Sequence, residues 1–135
     1  MVSEGLSLGR KLFEEVDKPT GSKVVFEDRE STWNGDIKGY NSFPSGLVTG
    51  SGRSYIHNNG SITISHWEGI FDTENKEQLT FKGRDMNKNG KFVVLRTFFT
   101  NSKALGWING LVCILSGEFD TSTGIFKSTG YELTL

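Results

Sequence analysis

Turn-forming clusters cut this sequence into β-rich runs of roughly ten residues, and that spacing constrains the fold more than any other feature. Asn58-Asn59-Gly60 separates Gly52–His57 from Ser61–Trp67, and Asn and Gly tolerate the left-handed backbone of a tight reversal. Asn87-Lys88-Asn89-Gly90 and Asp120-Thr121-Ser122-Thr123-Gly124 do the same further on, and Pro44-Ser45-Gly46 turns the chain into Leu47-Val48-Thr49. The chain holds 17 glycines against 2 prolines. Glycines inside the runs, such as Gly35, Gly50, Gly69 and Gly117, fit the bends of a tightly coiled sheet.

Counting runs predicts about eight antiparallel strands. They comprise Lys23–Glu27, Thr32–Phe43, Gly52–His57 with Leu47–Thr49 ahead of it, Ser61–Trp67, Glu77–Arg84, Lys91–Thr100, Ile108–Phe119 and Ile125–Leu133. Successive hairpins without a long crossover predict an all-β, up-and-down barrel, since closure removes sheet edges; a β-sandwich is the alternative. At 135 residues the chain is one domain, with residues 1–20 read as an N-terminal arm or short helix because Leu8, Leu12 and Val16 share a helical face.

A formal net charge of −1 gives no broad attraction to nucleic acid or to an anionic membrane surface, so neither is an expected partner. Charges at Glu4, Arg10, Lys11, Glu14 and Glu15 interrupt any apolar leader or span in Met1–Val16, and the expected setting is cytoplasmic. The single cysteine, Cys113, sits in the apolar run Leu111–Leu115 and reads as a buried structural thiol. No cofactor or metal is expected. Asp85–Gly90 copies the opening of a calcium loop, but Arg96 stands where the closing Glu belongs, and strands flank it where helices should.

Lys18-Pro19-Thr20-Gly21, Gly69-Ile70-Phe71-Asp72-Thr73, Phe99–Leu105 and Trp107-Ile108-Asn109 together resemble uncharacterised small β-barrels, domains of unknown function. These are similar in architecture to allene oxide cyclase-like and lipocalin-like barrels. The resemblance implies a barrel from Gly9 to Leu133 and carries over no catalytic residue. It also implies that such a scaffold can host catalysis on a substrate shaped by an apolar interior.

The candidate site is built from the strand Ile62–Phe71, where period two places Ile62, Ile64, His66, Glu68 and Ile70 on one face. If that face looks inward, His66 and Glu68 form an imidazole–carboxylate pair able to hold a polar head group or move a proton. Arg96 stands among Phe92, Val94 and Phe98 and needs a partner, for which Glu68 or the carboxylate of a ligand is available. With Trp67 and Arg53 these residues form the expected ligand-binding set.

Three functions compete: a module holding a small apolar or amphipathic molecule in the barrel, a homo-oligomeric structural or interaction protein, and an isomerase or cyclase using the His66–Glu68 pair. The oligomer reading rests on Lys91–Thr100 and Ile108–Phe119, which are apolar on both faces. Binding is the expectation taken forward.

Overall fold

The computed structural model describes residues 7–26 and 28–134. Eight strands, each hydrogen-bonded antiparallel to the next and the last to the first, close into one barrel. They are β1 (Ser7–Val25), β2 (Asp28–Gly39), β3 (Gly46–His57), β4 (Ile62–Thr73), β5 (Gln78–Lys88), β6 (Lys91–Phe99), β7 (Val112–Asp120) and β8 (Ile125–Thr134). The turns fall where Asn and Gly supply positive φ, as at Asn89 (53°) and Gly90 (83°) between β5 and β6. The calcium-loop look-alike is therefore strand plus hairpin turn, and its Asp85 is an inward, buried residue of β5.

The N-terminal segment differs from the helical alternative. From Ser7 onward it is strand, paired with β8 over its first half and with β2 over its second; residues 1–6 and Glu27 lie outside the described residues. Closure explains the difference, because without β1 the edges of β2 and β8 would stay unpaired. Two irregularities fit the sequence to this role. A register shift between Lys11 and Phe13 lets both Leu12 and Phe13 be buried, and another between Pro19 and Gly21 accommodates the proline. β7 also starts later than expected, because Gly106–Ile108 forms a 3-10 turn that buries Ile108.

Inward side chains divide the interior into two unlike halves. Where β2 turns into β3, Phe13, Ile37, Val48, Phe71, Leu79 and Phe98 fill the barrel, and Phe43 and Ile108 cap it from the two loops. The ring of Phe43 lies 5.0 Å from Phe13 and 5.5 Å from Phe98, close enough for edge and tilted aromatic contact. Each fully buried ring removes enough apolar surface from water to contribute about 2–3 kcal/mol. This end is packed solid. Toward the opposite end the inward positions become polar: Asp17, Ser54, Ser65, Asp85 and Ser128, set among Trp33, Trp67, Phe92 and Phe126.

Glycines on the inner face give these large side chains room. A Cβ at Gly50 would stand 2.3 Å from the Trp33 ring, and one at Gly35 would stand 1.9 Å from Asp17 Oδ1. At both positions the missing methyl is space that a large or polar inward side chain occupies.

Candidate functional site

The junction of the two halves is set by an ion pair spanning the interior. Arg96 of β6 donates from Nη1 to Glu15 Oε1 at 2.5 Å and from Nη2 to Glu15 Oε2 at 3.1 Å. Both side chains are buried, 4% and 0% exposed. The guanidinium also stacks 4.5 Å from the Phe81 centroid, with the rings of Phe98 and Trp33 at 5.8 and 5.9 Å. Held on three sides, Arg96 is a rigid, oriented donor.

Beyond the pair lies a small cavity of about 40 Å³ bordered by Asp17, Trp33, Trp67, Asp85, Arg96 and Ser128, and closed by Phe92 and Phe126. Three buried polar atoms of its lining have no hydrogen-bond partner: Asp17 Oδ1, Asp85 Oδ1 and Arg96 Nε. Buried polar groups are nearly always paired, so three orphans around one cavity mark it as unusual. A space of this size holds one or two waters.

Burial sets the protonation of the two aspartates. Asp17 loses hydration and faces the negative Glu15, which together push its carboxyl up to about 10 against a weaker opposing pull from Arg96. It is therefore neutral near pH 7. Asp85 is raised chiefly by desolvation, opposed by the Trp67 indole and the Ser65 hydroxyl beside it. Ser65 in turn shares a 2.8 Å hydrogen bond with Ser54. With Glu15 and Arg96 cancelling and Asp17 neutral, this part of the interior carries almost no net charge.

The five residues singled out in the sequence separate into two groups. Trp67 and Arg96 face the interior and border the cavity. His66, Glu68 and Arg53 face outward, because β4 buries Ser65, Phe71 and Thr73, which places His66 and Glu68 on the other side of the pleat. Glu68 is thus not the partner of Arg96, and Glu15 is. Arg53 pairs across the outer wall with Glu30 at 2.8 Å and with Asp28 at 3.9 Å. His66 lies opposite Arg53 and Arg84 in the register and meets Tyr55 edge-on at 5.8 Å. All five nevertheless border one open depression of about 1120 Å³ on the outer wall, to which Trp67 and Arg96 belong through the middle of the sheet.

Glu15, Asp17, Asp85 and Ser128 were not legible as site residues. Glu15 and Asp17 fall in the segment read as arm or helix, although Phe13, Glu15 and Asp17 already stand at strand spacing. For Asp85 a signal was present: period two from Leu79 and Phe81 runs through Gly83 to an acid on the apolar face of β5.

No family model and no curated protein matches the sequence. Solved structures match along nearly the whole chain. A conserved protein of unknown function from Rhodopseudomonas palustris superposes with a TM-score of 0.77 at 12% identity, covering 97% of this chain and 99% of that one. A β-barrel like protein from Acinetobacter baumannii AYE gives 0.75 at 14% identity, covering 98% and 99%. An enzyme from Penicillium herquei gives 0.67 at 14% identity, covering 98% of both chains. At such identities the likeness defines the fold: a small closed β-barrel of the type found in solved proteins of unknown function.

Proposed function

We propose that this protein binds a small amphipathic molecule in the polar half of its barrel. The observation that carries the reading is the convergence of three unpartnered polar atoms, on Asp17, Asp85 and Arg96, on a cavity walled by Trp33, Trp67, Phe92 and Phe126. Pockets of this chemistry, apolar walls with a few oriented polar groups, are what small ligands select. The cavity is far below the roughly 300 Å³ of an ordinary ligand pocket, so binding requires side chains to yield. Phe126, whose ring centroid lies 5.3 Å from Phe92 and 4.4 Å from Phe119, closes that end together with them, and these three rings are the group that would have to move. A cytoplasmic setting fits the free thiol of Cys113.

Trp33 and Trp67 make the site its own reporter. Titrating small aromatic compounds while following the indole N–H resonances of the three tryptophans should shift Trp33 and Trp67 saturably and leave Trp107 unmoved. No saturable shift across a fragment set, with no ligand retained in native mass spectrometry of gently purified protein, would sink the reading.

A second reading, self-association, is favoured by one further observation. Tyr55, Ile64, Met86 and Val93 stand opposite one another in register on the outer wall, each between 38% and 55% exposed, beside the open depression. A row of this kind suits contact between copies. Light scattering at micromolar concentration decides it, a monomer mass counting against it.

A further inference from the structure

We infer that the ligand of the interior cavity is a neutral hydroxyl-bearing aromatic, a phenol or stable enol, whose O–H accepts from Arg96 Nε–H and donates to an aspartate oxygen. This rests on the binding reading above and narrows it to one chemical class. Both terminal nitrogens of Arg96 hold Glu15, and Nε is the one nitrogen of the three that has no partner. The Arg96 charge is already matched by Glu15, so an acidic ligand would be buried with no counter-charge of its own.

The acceptors point the same way. Asp17 Oδ1 and Asp85 Oδ1 are free, and both carboxyls are biased by burial toward the neutral state, which weakens their hold on an ammonium group. With the Glu15 carboxylate already held by Arg96, a cationic ligand would also be buried without a counter-charge. The lining therefore asks for a ligand atom that accepts one hydrogen bond and donates another without carrying charge, which is a hydroxyl oxygen. Four aromatic side chains, Trp33, Trp67, Phe92 and Phe126, supply flat walls for a ring attached to it.

Four compounds of similar size test the class: phenol, toluene, benzoate and benzylamine, each titrated while the Trp33 and Trp67 indole signals are followed. Phenol should bind about tenfold more tightly than toluene, the gain expected when otherwise unpaired polar groups are satisfied, and benzoate and benzylamine should bind more weakly than either. Asp85→Leu keeps about the same size and removes the acceptor, and Arg96→Lys with Glu15 retained removes the Nε–H; each should reduce the preference for phenol over toluene. Benzoate or benzylamine binding tighter than phenol overturns the inference while leaving interior binding intact. So does toluene equal to phenol in the natural protein. Failure of all four to shift either indole counts instead against interior binding itself. Because Arg96→Lys risks unfolding, the aspartate arm gives an independent reading: a preference for phenol over toluene unchanged in both Asp85→Leu and Asp17→Leu overturns the inference.

Discussion

Glu15 and Arg96 lie 81 residues apart in sequence and meet inside the barrel at two hydrogen bonds, joining β1 to β6 across the interior rather than through the sheet. Taking both charges out of water costs several kcal/mol per ion, which only their mutual attraction and the surrounding partners offset. Phe81 and Phe98 against the guanidinium add contact without adding charge. The pair contributes little net stability as a unit, yet neither member can be left alone.

Removing one partner should therefore be far worse than removing both. Glu15→Ala is expected to destabilise the protein by about 3–5 kcal/mol, because it strands a buried guanidinium. The double replacement Glu15→Leu with Arg96→Met should recover most of that loss. Urea denaturation of the natural protein, Glu15→Leu, Arg96→Met and the double variant measures the coupling directly. Additive effects would show that the pair does not act as a unit.

Stability should fall as pH rises through the neutral range. Below its ordinary value of 3.8 Asp17 is protonated in both folded and unfolded chains; between there and about 10 the unfolded chain releases the proton and the folded one keeps it. Folding then takes up one proton, and stability decreases by about 1.4 kcal/mol per pH unit from this group, with Asp85 adding the same sign. Urea midpoints measured from about pH 6 to about pH 9 should decline, and Asp17→Asn should flatten the decline. A natural protein whose midpoint rises over that window would refute a neutral, buried Asp17.

The strand count and the turns were readable because Asn, Gly and Pro act locally, and a hairpin turn at Asn89-Gly90 needs nothing from the rest of the chain. The alternation of Leu79 and Phe81 against Lys82 and Arg84 was readable for the same reason. The site was not. Whether His66 or Trp67 faces inward depends on which face of β4 the whole barrel buries, and period two alone leaves both choices open. The partner of Arg96 comes from a strand that closes the barrel from the far end of the sequence, and local pattern does not encode that pairing.

Inner-face glycines should be intolerant of even one methyl. At Gly35 a Cβ would collide with Asp17 Oδ1 at 1.9 Å and the Val16 carbonyl at 2.8 Å, and backbone cannot yield as a flexible side-chain end can. Gly35→Ala is expected to cost about 2–3 kcal/mol through overpacking, and to disturb the titration of Asp17 along with it. Gly106→Ala, with open space at the added methyl, serves as the control and should change thermal stability little. Equal melting temperatures for the two variants would contradict the packing.

Cys113 should be nearly inert until the barrel opens. Its side chain is wholly buried on the inner face of β7, and desolvation pushes the thiol up to about 12 despite the nearby Arg96 charge. Reaction needs thiolate and access, and the folded chain supplies neither. Labelling by a disulfide reagent in native buffer should run at least about a thousandfold more slowly than in denaturant, because the cysteine reacts only from opened molecules. Weakening the interior by Glu15→Ala should speed native labelling about tenfold for each 1.4 kcal/mol of stability lost, while Glu68→Ala on the outer wall should leave it unchanged. Fast labelling of the natural protein would mean that β7 opens locally, and that the interior is reached from that side and not through the aromatic end.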